Sequence, residues 1–200
     1  MSNGLNVGLL LLRLGLALLL AGHASQKLFG WFRGAGPAGT GAMFEQWGFR
    51  PGPAMAILAG LSEAAGATAI ALGLLTPGGC AVIIGTMIVA AAPNAPKGLW
   101  AHLGGCEVPV VYAGLGAVIA FTDPGQYSLD HAIGLTGFGG VGWGLAAVAV
   151  GTIAAVPPLL RRRAVLRHVT AGSTGAPGQS RPTQPADDQP PTPRGAHDES

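Results

Sequence analysis

Long apolar runs, each broken by at most a few ionisable residues and separated by Gly/Pro turns, set the pattern of this chain. The first extends from about Leu5 to Phe29 and is interrupted by Arg13, His23 and Lys27. The second, Pro53 to Leu75, carries Glu63 as its one charge. The turn signal Thr76-Pro77-Gly78-Gly79 leads into a third run, Cys80 to Ala92, which stops at Pro93-Asn94-Ala95-Pro96. A fourth spans about Gly105 to Phe121, with Glu107 at its start. The fifth, about Phe138 to Leu160, is uncharged and ends at Pro157-Pro158 followed by Arg161-Arg162-Arg163. A helix that crosses a hydrocarbon core of ~30 Å needs ~20 mostly apolar residues. The first, second and fifth runs meet that length; the third and fourth are short.

The basic residues help to decide the short ones. If all five runs span and the N-terminus is outside, Lys27, Arg33, Arg50, Lys97, Arg161, Arg162, Arg163 and Arg167 all fall on the cytoplasmic side. The N-terminal stub, the 76–79 turn and the 122–137 loop hold no Lys or Arg. Losing either short run would split the set across both faces, so the positive-inside rule favours five spans, N-terminus out and C-terminus in. The first run lacks a basic stretch before it and carries Arg13 in its middle, which predicts a retained span and not a cleaved signal peptide.

Composition strengthens the membrane reading. Charged residues are 10% of the 200, against roughly 25% in soluble domains. Hydrophobic residues are 49% and 34 residues are Gly, in keeping with the higher Gly content of membrane helices. These values argue against a nucleic-acid binder, a wholly disordered chain and an ordinary soluble enzyme. The net charge of +2 gives no global field toward a polyanion. From Thr170 to Ser200 the chain is Pro-, Gly- and Ser-rich, without an aromatic or large aliphatic residue. Such a segment buries too little to offset its ordering entropy and is predicted to be a disordered tail. The expected architecture is all-α: a polytopic bundle over 1–133, a fifth membrane helix with a basic cytoplasmic flank over 134–169, and the tail over 170–200.

Charges at membrane depth cost at least ~2.5–3.5 kcal/mol and normally face the bundle with a partner. Arg13 and Glu63 each lie near the middle of their runs. Antiparallel neighbours would bring them together, so an Arg13–Glu63 ion pair is expected, either fixing helix register or forming a ligand or proton site. Arg13, Leu16, Leu20, His23 and Lys27 recur at helical spacing and form one stripe. Lys27 is free to snorkel to the interface, and His23 is open to a structural or a ligand role. Glu107 and Pro109 suit a first helical turn. The functional alternative is a cytoplasmic mouth built from His23, Gln26, Lys27 and Glu107, with His102 a further candidate.

The two cysteines, Cys80 and Cys106, fall on opposite sides in this topology, too far apart for a disulfide. No His/Cys spacing suggests zinc, iron or haem. The Gly134–Gly144 stretch follows no strand, so it is read as close helix packing and not as a dinucleotide fingerprint. Between the fourth and fifth runs, Pro124-Gly125 marks a turn, and Ser128 is placed to cap a short helix holding Asp130 and His131. That loop reads as ordered, with a carboxylate and an imidazole near the outer membrane surface.

Four markers in order resemble a known family. They are Arg13-Leu14-Gly15 with Gly22-His23 and Gln26-Lys27-Leu28; Glu63 within Ala59-Gly60-Leu61-Ser62-Glu63-Ala64-Ala65-Gly66; Glu107-Val108-Pro109; and Pro124-Gly125-Gln126-Tyr127-Ser128-Leu129-Asp130. Over roughly residues 7–133 the chain resembles the DoxX family of small bacterial membrane proteins. It departs from the family pattern at Asp123, where Gly is usual, and the fifth run and the tail lie outside the four-helix family core. The resemblance implies a four-helix bundle in the bacterial plasma membrane. It also implies Arg13, Lys27, Glu63, Glu107 and Asp130 as the polar set, without a catalytic role for any of them. Members of the family are linked to thiosulfate–quinone oxidoreduction. One in actinobacteria is linked to an oxidative-stress complex with a superoxide dismutase and a sulfurtransferase. The expected function is therefore a membrane subunit or scaffold of an oxidoreductase system, with such soluble partners at the cytoplasmic face. No intrinsic redox centre is expected, and a quinone among the helices is the cofactor this reading admits. The alternative is a small-molecule or lipid-binding, transport-like protein without redox activity.

Overall fold

A computed structural model describes residues 2–135 and 137–174, with side chains through Val169. Seven α-helices and two 3-10 turns make up the described residues, with no strand. Helix α1 (Asn3–Leu28) starts at Ser2, whose hydroxyl accepts from the Leu5 amide. Helix α2 (Gly36–Gln46) follows a tight turn. Helix α3 (Gly52–Leu72) opens with Pro53 in its first turn and closes on left-handed Gly73. Helix α4 (Thr76–Ala91) leads through 3-10 turns at Ala95–Lys97 and Ala101–Leu103 into α5 (Glu107–Phe121). The short α6 (Leu129–Ala132) is capped by Ser128, whose hydroxyl accepts from the His131 amide, as its spacing predicts. Helix α7 runs from Val141 to Thr174 with Pro157 and Pro158 inside it. It therefore continues a little past residue 170; the rest of the tail lies outside the described residues.

Helices α1, α3, α4, α5 and α7 run in alternating directions between two ends of one bundle. At one end, the first half of α1 meets the α3 C-terminus, the α4 N-terminus and the 124–130 loop. At the other, the C-terminal part of α1 meets α2 and α3, and distal α7 reaches the α2–α3 elbow. Arg33, Arg50, Lys97, Arg161, Arg162, Arg163 and Arg167 all sit on elements of this second, basic end. The core between the ends is Leu16, Leu20, Ile70, Ile83, Met87 and Ile119.

Burial is inverted relative to a water-soluble protein. Arg13, Asn6, Thr76 and Asp130 are among the most buried side chains, whereas Leu11 is 65% and Leu18 75% exposed. Apolar exposure on this scale marks a surface made for lipid. Three helices are long and apolar enough to cross a membrane: Asn3–Leu28, Gly52–Leu72 and Val141–Val169. Helices α4 and α5, at 16 and 15 residues, measure only about 24 and 22 Å at 1.5 Å per residue.

Helix α7 packs on α4 through small residues. A Cβ on Gly151 would lie 2.6 Å from the Ala81 carbonyl oxygen, and Gly85 faces Gly151 across the same crossing. Of the 134–144 glycines, Gly144 packs closely against the Phe121 ring and Gly139 against Asp123, while Gly134, Gly137, Gly140 and Gly142 face open space.

Candidate functional site

Register decides which buried charges meet, and it overturns the expected Arg13–Glu63 pair. Leu28, at the end of α1, packs on Gly60 of α3. The first two turns of α3 therefore extend beyond α1 and pack instead on α2, where Gly41 approaches Pro53. In an antiparallel pair so aligned, Glu63 lies opposite the Lys27 turn, and Arg13 lies opposite the C-terminal end of α3, where Gly73 abuts its guanidinium. Arg13 and Lys27 are 14 residues apart on α1, about 21 Å. Glu63 accepts from Lys27 Nζ at 2.8 and 2.9 Å, and Lys27 also reaches the His23 carbonyl at 3.5 Å. Lys27 thus turns back into the bundle, its side chain 20% exposed and that of Glu63 3%.

The Lys27–Glu63 pair lines a cavity of ≈ 610 Å³ at the basic end. Helix α1 contributes His23, Gln26 and Lys27; α3 contributes Met55, Ala59, Ser62 and Glu63. Thr86 and Met87 come from α4, Pro109 and Tyr112 from α5, and Ala154 and Pro158 from α7. Helix α2 and the elbow after it close one side with Met43, Phe44, Trp47 and Phe49. The Tyr112 hydroxyl shares a 3.4 Å hydrogen bond with His23 Nε2, and their rings meet edge to face. Lys27 and Glu63 are the only Lys, Arg, Asp or Glu among the described residues that line it. The wall is therefore mostly apolar, with one neutralised ion pair and a few hydroxyl, amide and imidazole groups. That composition suits a neutral amphiphile with an oxygen-bearing head.

Glu107 stands apart from this cavity. Its carboxylate accepts from the Ala101 amide at 2.8 Å and ties down the second 3-10 turn, beside the first turn of α5. His102 lies in that turn, exposed. Of the expected mouth, His23, Gln26 and Lys27 come together; Glu107 and His102 do not join them.

Arg13 belongs to the other end. Its guanidinium donates to the carbonyls of Pro124, Tyr127 (2.7 Å) and Ala71 (3.3 Å). Asp130, within the ordered loop, is completely buried. Its carboxylate accepts from the Leu75 and Thr76 amides at 2.8 and 3.1 Å and from the Thr76 hydroxyl at 2.9 Å, capping α4. Leu75 is thereby held in a left-handed conformation, φ 46°. Gly73 is required beside it, with φ +62° and a Cβ position 2.7 Å from Arg13 Nη1. Ser128 donates to the Gly125 carbonyl, and Asn6 accepts from the Gln126 amide. Arg13, Ser128 and Asp130 thus form a lock that fastens the 124–130 loop over the helix ends.

Tyr112 was not singled out from the sequence, although a signal existed. It shares the buried face of α5 with Gly116 and Ile119, at helical spacing, one turn beyond Pro109. The α2–elbow wall had no comparable signal. Cys80 and Cys106 are both free, Cys80 near the lock end and Cys106 at the basic end. Among the described residues, no group of three or more His, Cys, Asp or Glu is arranged to hold a metal ion.

A mostly apolar cavity holding one ion pair, inside an apolar-surfaced helix bundle, defines a membrane protein with an internal ligand-sized site. The DoxX family model matches residues 8–103, a stretch that includes Arg13, His23, Lys27 and Glu63, and the chain belongs to the DoxX family. Helix α5 with Glu107 and Tyr112, the Pro124–Asp130 loop and α7 lie beyond the matched residues. No curated relative and no solved structure matches the chain.

Proposed function

We propose that this protein is the membrane subunit of an oxidoreductase system and that its basic-end cavity holds the head group of a quinone. The observation that carries this reading is the ≈ 610 Å³ apolar cavity whose two charges neutralise each other. A neutral quinone ring leaves that pair intact. An anion such as thiosulfate would have to displace Glu63 from Lys27, so sulfur-oxyanion chemistry is assigned to a partner and not to this cavity. Tyr112, Ser62 and Thr86 supply donors for quinone oxygens, and Met55, Met87, Phe44 and Trp47 supply apolar walls. A bound quinone supplies two-electron carrier chemistry; the chain's own residues orient its head and exclude water.

The same reading sets the helices in the plasma membrane of a bacterium. Five helices cross it, α4 and α5 short and surrounded by longer neighbours, and the basic end faces the cytoplasm. Soluble oxidoreductase, dismutase or sulfurtransferase partners dock on that face. Equilibrium binding tests the core of the proposal. In nanodiscs, a short-tailed neutral quinone should quench Trp47 fluorescence saturably, thiosulfate should not, and W47F should lose the signal. Quenching that never saturates would sink the site. Affinity purification in mild detergent tests the partners.

Three methionines in the cavity wall, Met43, Met55 and Met87, also favour a second reading, because Met walls adapt to varied apolar ligands. On that reading the protein binds or moves a lipid or small molecule without electron transfer. Sulfide- or thiosulfate-dependent quinone reduction in membranes containing the chain favours the first reading; ligand flux without it favours the second.

A further inference from the structure

Helix α7 is more than twice the length of its neighbours α4 and α5, and its extra turns pass over the cavity wall. The Pro157–Pro158 pair sits inside this helix, and Ala154 and Pro158 line the cavity. Two consecutive prolines remove two helical N–H donors, leaving the carbonyls of Ile153 and Ala154 without their usual partners and creating a hinge. Beyond the hinge, Arg162 Nε donates to the Trp47 carbonyl at 2.8 Å, and its guanidinium lies 5.7 Å from the centre of the Phe49 ring. Between those two residues, Gly48 (φ +87°) is packed so closely that a Cβ there would lie 2.9 Å from Leu166. Trp47 and Phe49 belong to the wall that closes the cavity on the α2 side.

We propose that distal α7 is a strap hinged at Pro157–Pro158, with Arg162 as the latch that keeps the Trp47–Phe49 elbow closed over the cavity. Releasing the latch opens the cavity toward the basic face and sets how fast a ligand exchanges. The strap lies outside the matched family residues, so it regulates the site through a part of the chain that follows the family region. It rests on the cavity being the ligand site, but its mechanics can be tested without any ligand.

The experiment uses the full chain in nanodiscs with C106S, so that the partly exposed native thiol is removed and the fully buried Cys80 remains. A59C reports on the cavity through its rate of reaction with a water-soluble maleimide, and S2C at the opposite end serves as control. Loss of the Arg162 contacts should speed A59C labelling roughly tenfold in R162A, about the equilibrium shift expected from one charged hydrogen bond. R162K, which keeps the charge but not the Nε donor, should fall between, and S2C should not change. Spin labels at Q46C and A164C give a second readout, independent of any change in reactivity: one narrow distance in the parent, a broader and longer distribution with R162A. Unchanged labelling together with an unchanged distance distribution would overturn the strap, whether or not quinone binds. Failure of quinone to bind, with both strap readouts as expected, would overturn the ligand assignment alone.

Discussion

The two ends of this bundle bury charge in different ways. At the lock end, Arg13 and Asp130 are almost completely inaccessible and bond mainly to backbone: three carbonyls for the guanidinium, whose Nε has no partner, and two amides with the Thr76 hydroxyl for the carboxylate. At the basic end, Lys27 and Glu63 pair directly with each other and line a cavity, beside a longer His23–Tyr112 contact. Charges committed to backbone fix architecture, because any change strands a buried polar group. Charges that face a cavity can exchange partners when a ligand arrives. The same residue types therefore serve as a lock at one end and as a binding site at the other.

Mutation should separate the two roles. The largest effect is expected for R13A, which leaves Asp130 without its compensating charge and three carbonyls without donors. Breaking a buried charged cluster from one side costs about 3–5 kcal/mol, so thermal unfolding in detergent should show a severely destabilised protein. A near-native melting temperature would mean that Arg13 is not structural. Next comes E63Q, which keeps the shape and one hydrogen-bond acceptor but removes the charge facing Lys27. It should melt below the parent but well above R13A, because the partly exposed Lys27 can turn to water, and should bind a neutral quinone about tenfold more weakly, about 1.4 kcal/mol. If stability falls as far as in R13A while binding is spared, the contrast between the ends fails. Smallest is Y112F, where loss of one hydroxyl should weaken binding roughly twofold to fivefold, a cost of about 0.5–1 kcal/mol. The measured affinity of Y112F also shows whether its hydroxyl faces the ligand or serves only His23.

Much of the fold is legible in the chain itself. Long apolar runs locate α1, α3 and α7, turn chemistry separates α3 from α4, and Ser128 marks the short α6. Helix α2 is not legible: Gly36–Gln46 is rich in small residues and shows no clear apolar stripe. That one gap propagates. Without α2 occupying the first two turns of α3, depth along each run places Arg13 against Glu63. With α2 in place, α3 shifts along α1 and delivers Glu63 to Lys27 instead. Asp130 was legible as a residue but not as a buried cap, because the left-handed Leu75 that it holds has no sequence signature. Short helices such as α4 and α5 look alike in composition whether they cross a membrane or fill a bundle, and at 16 and 15 residues their length does not decide between the two.

The central claim is that ligand binds at the basic end and that the opposite end only locks the fold. Photolabelling with a neutral azidoquinone, followed by peptide mapping, tests it most directly. The account predicts covalent label on the cavity-lining stretches 55–63, 86–94 and 108–112, competed by unlabelled quinone and reduced in E63Q. Competable label on the 124–130 loop and the first turns of α1 would contradict it.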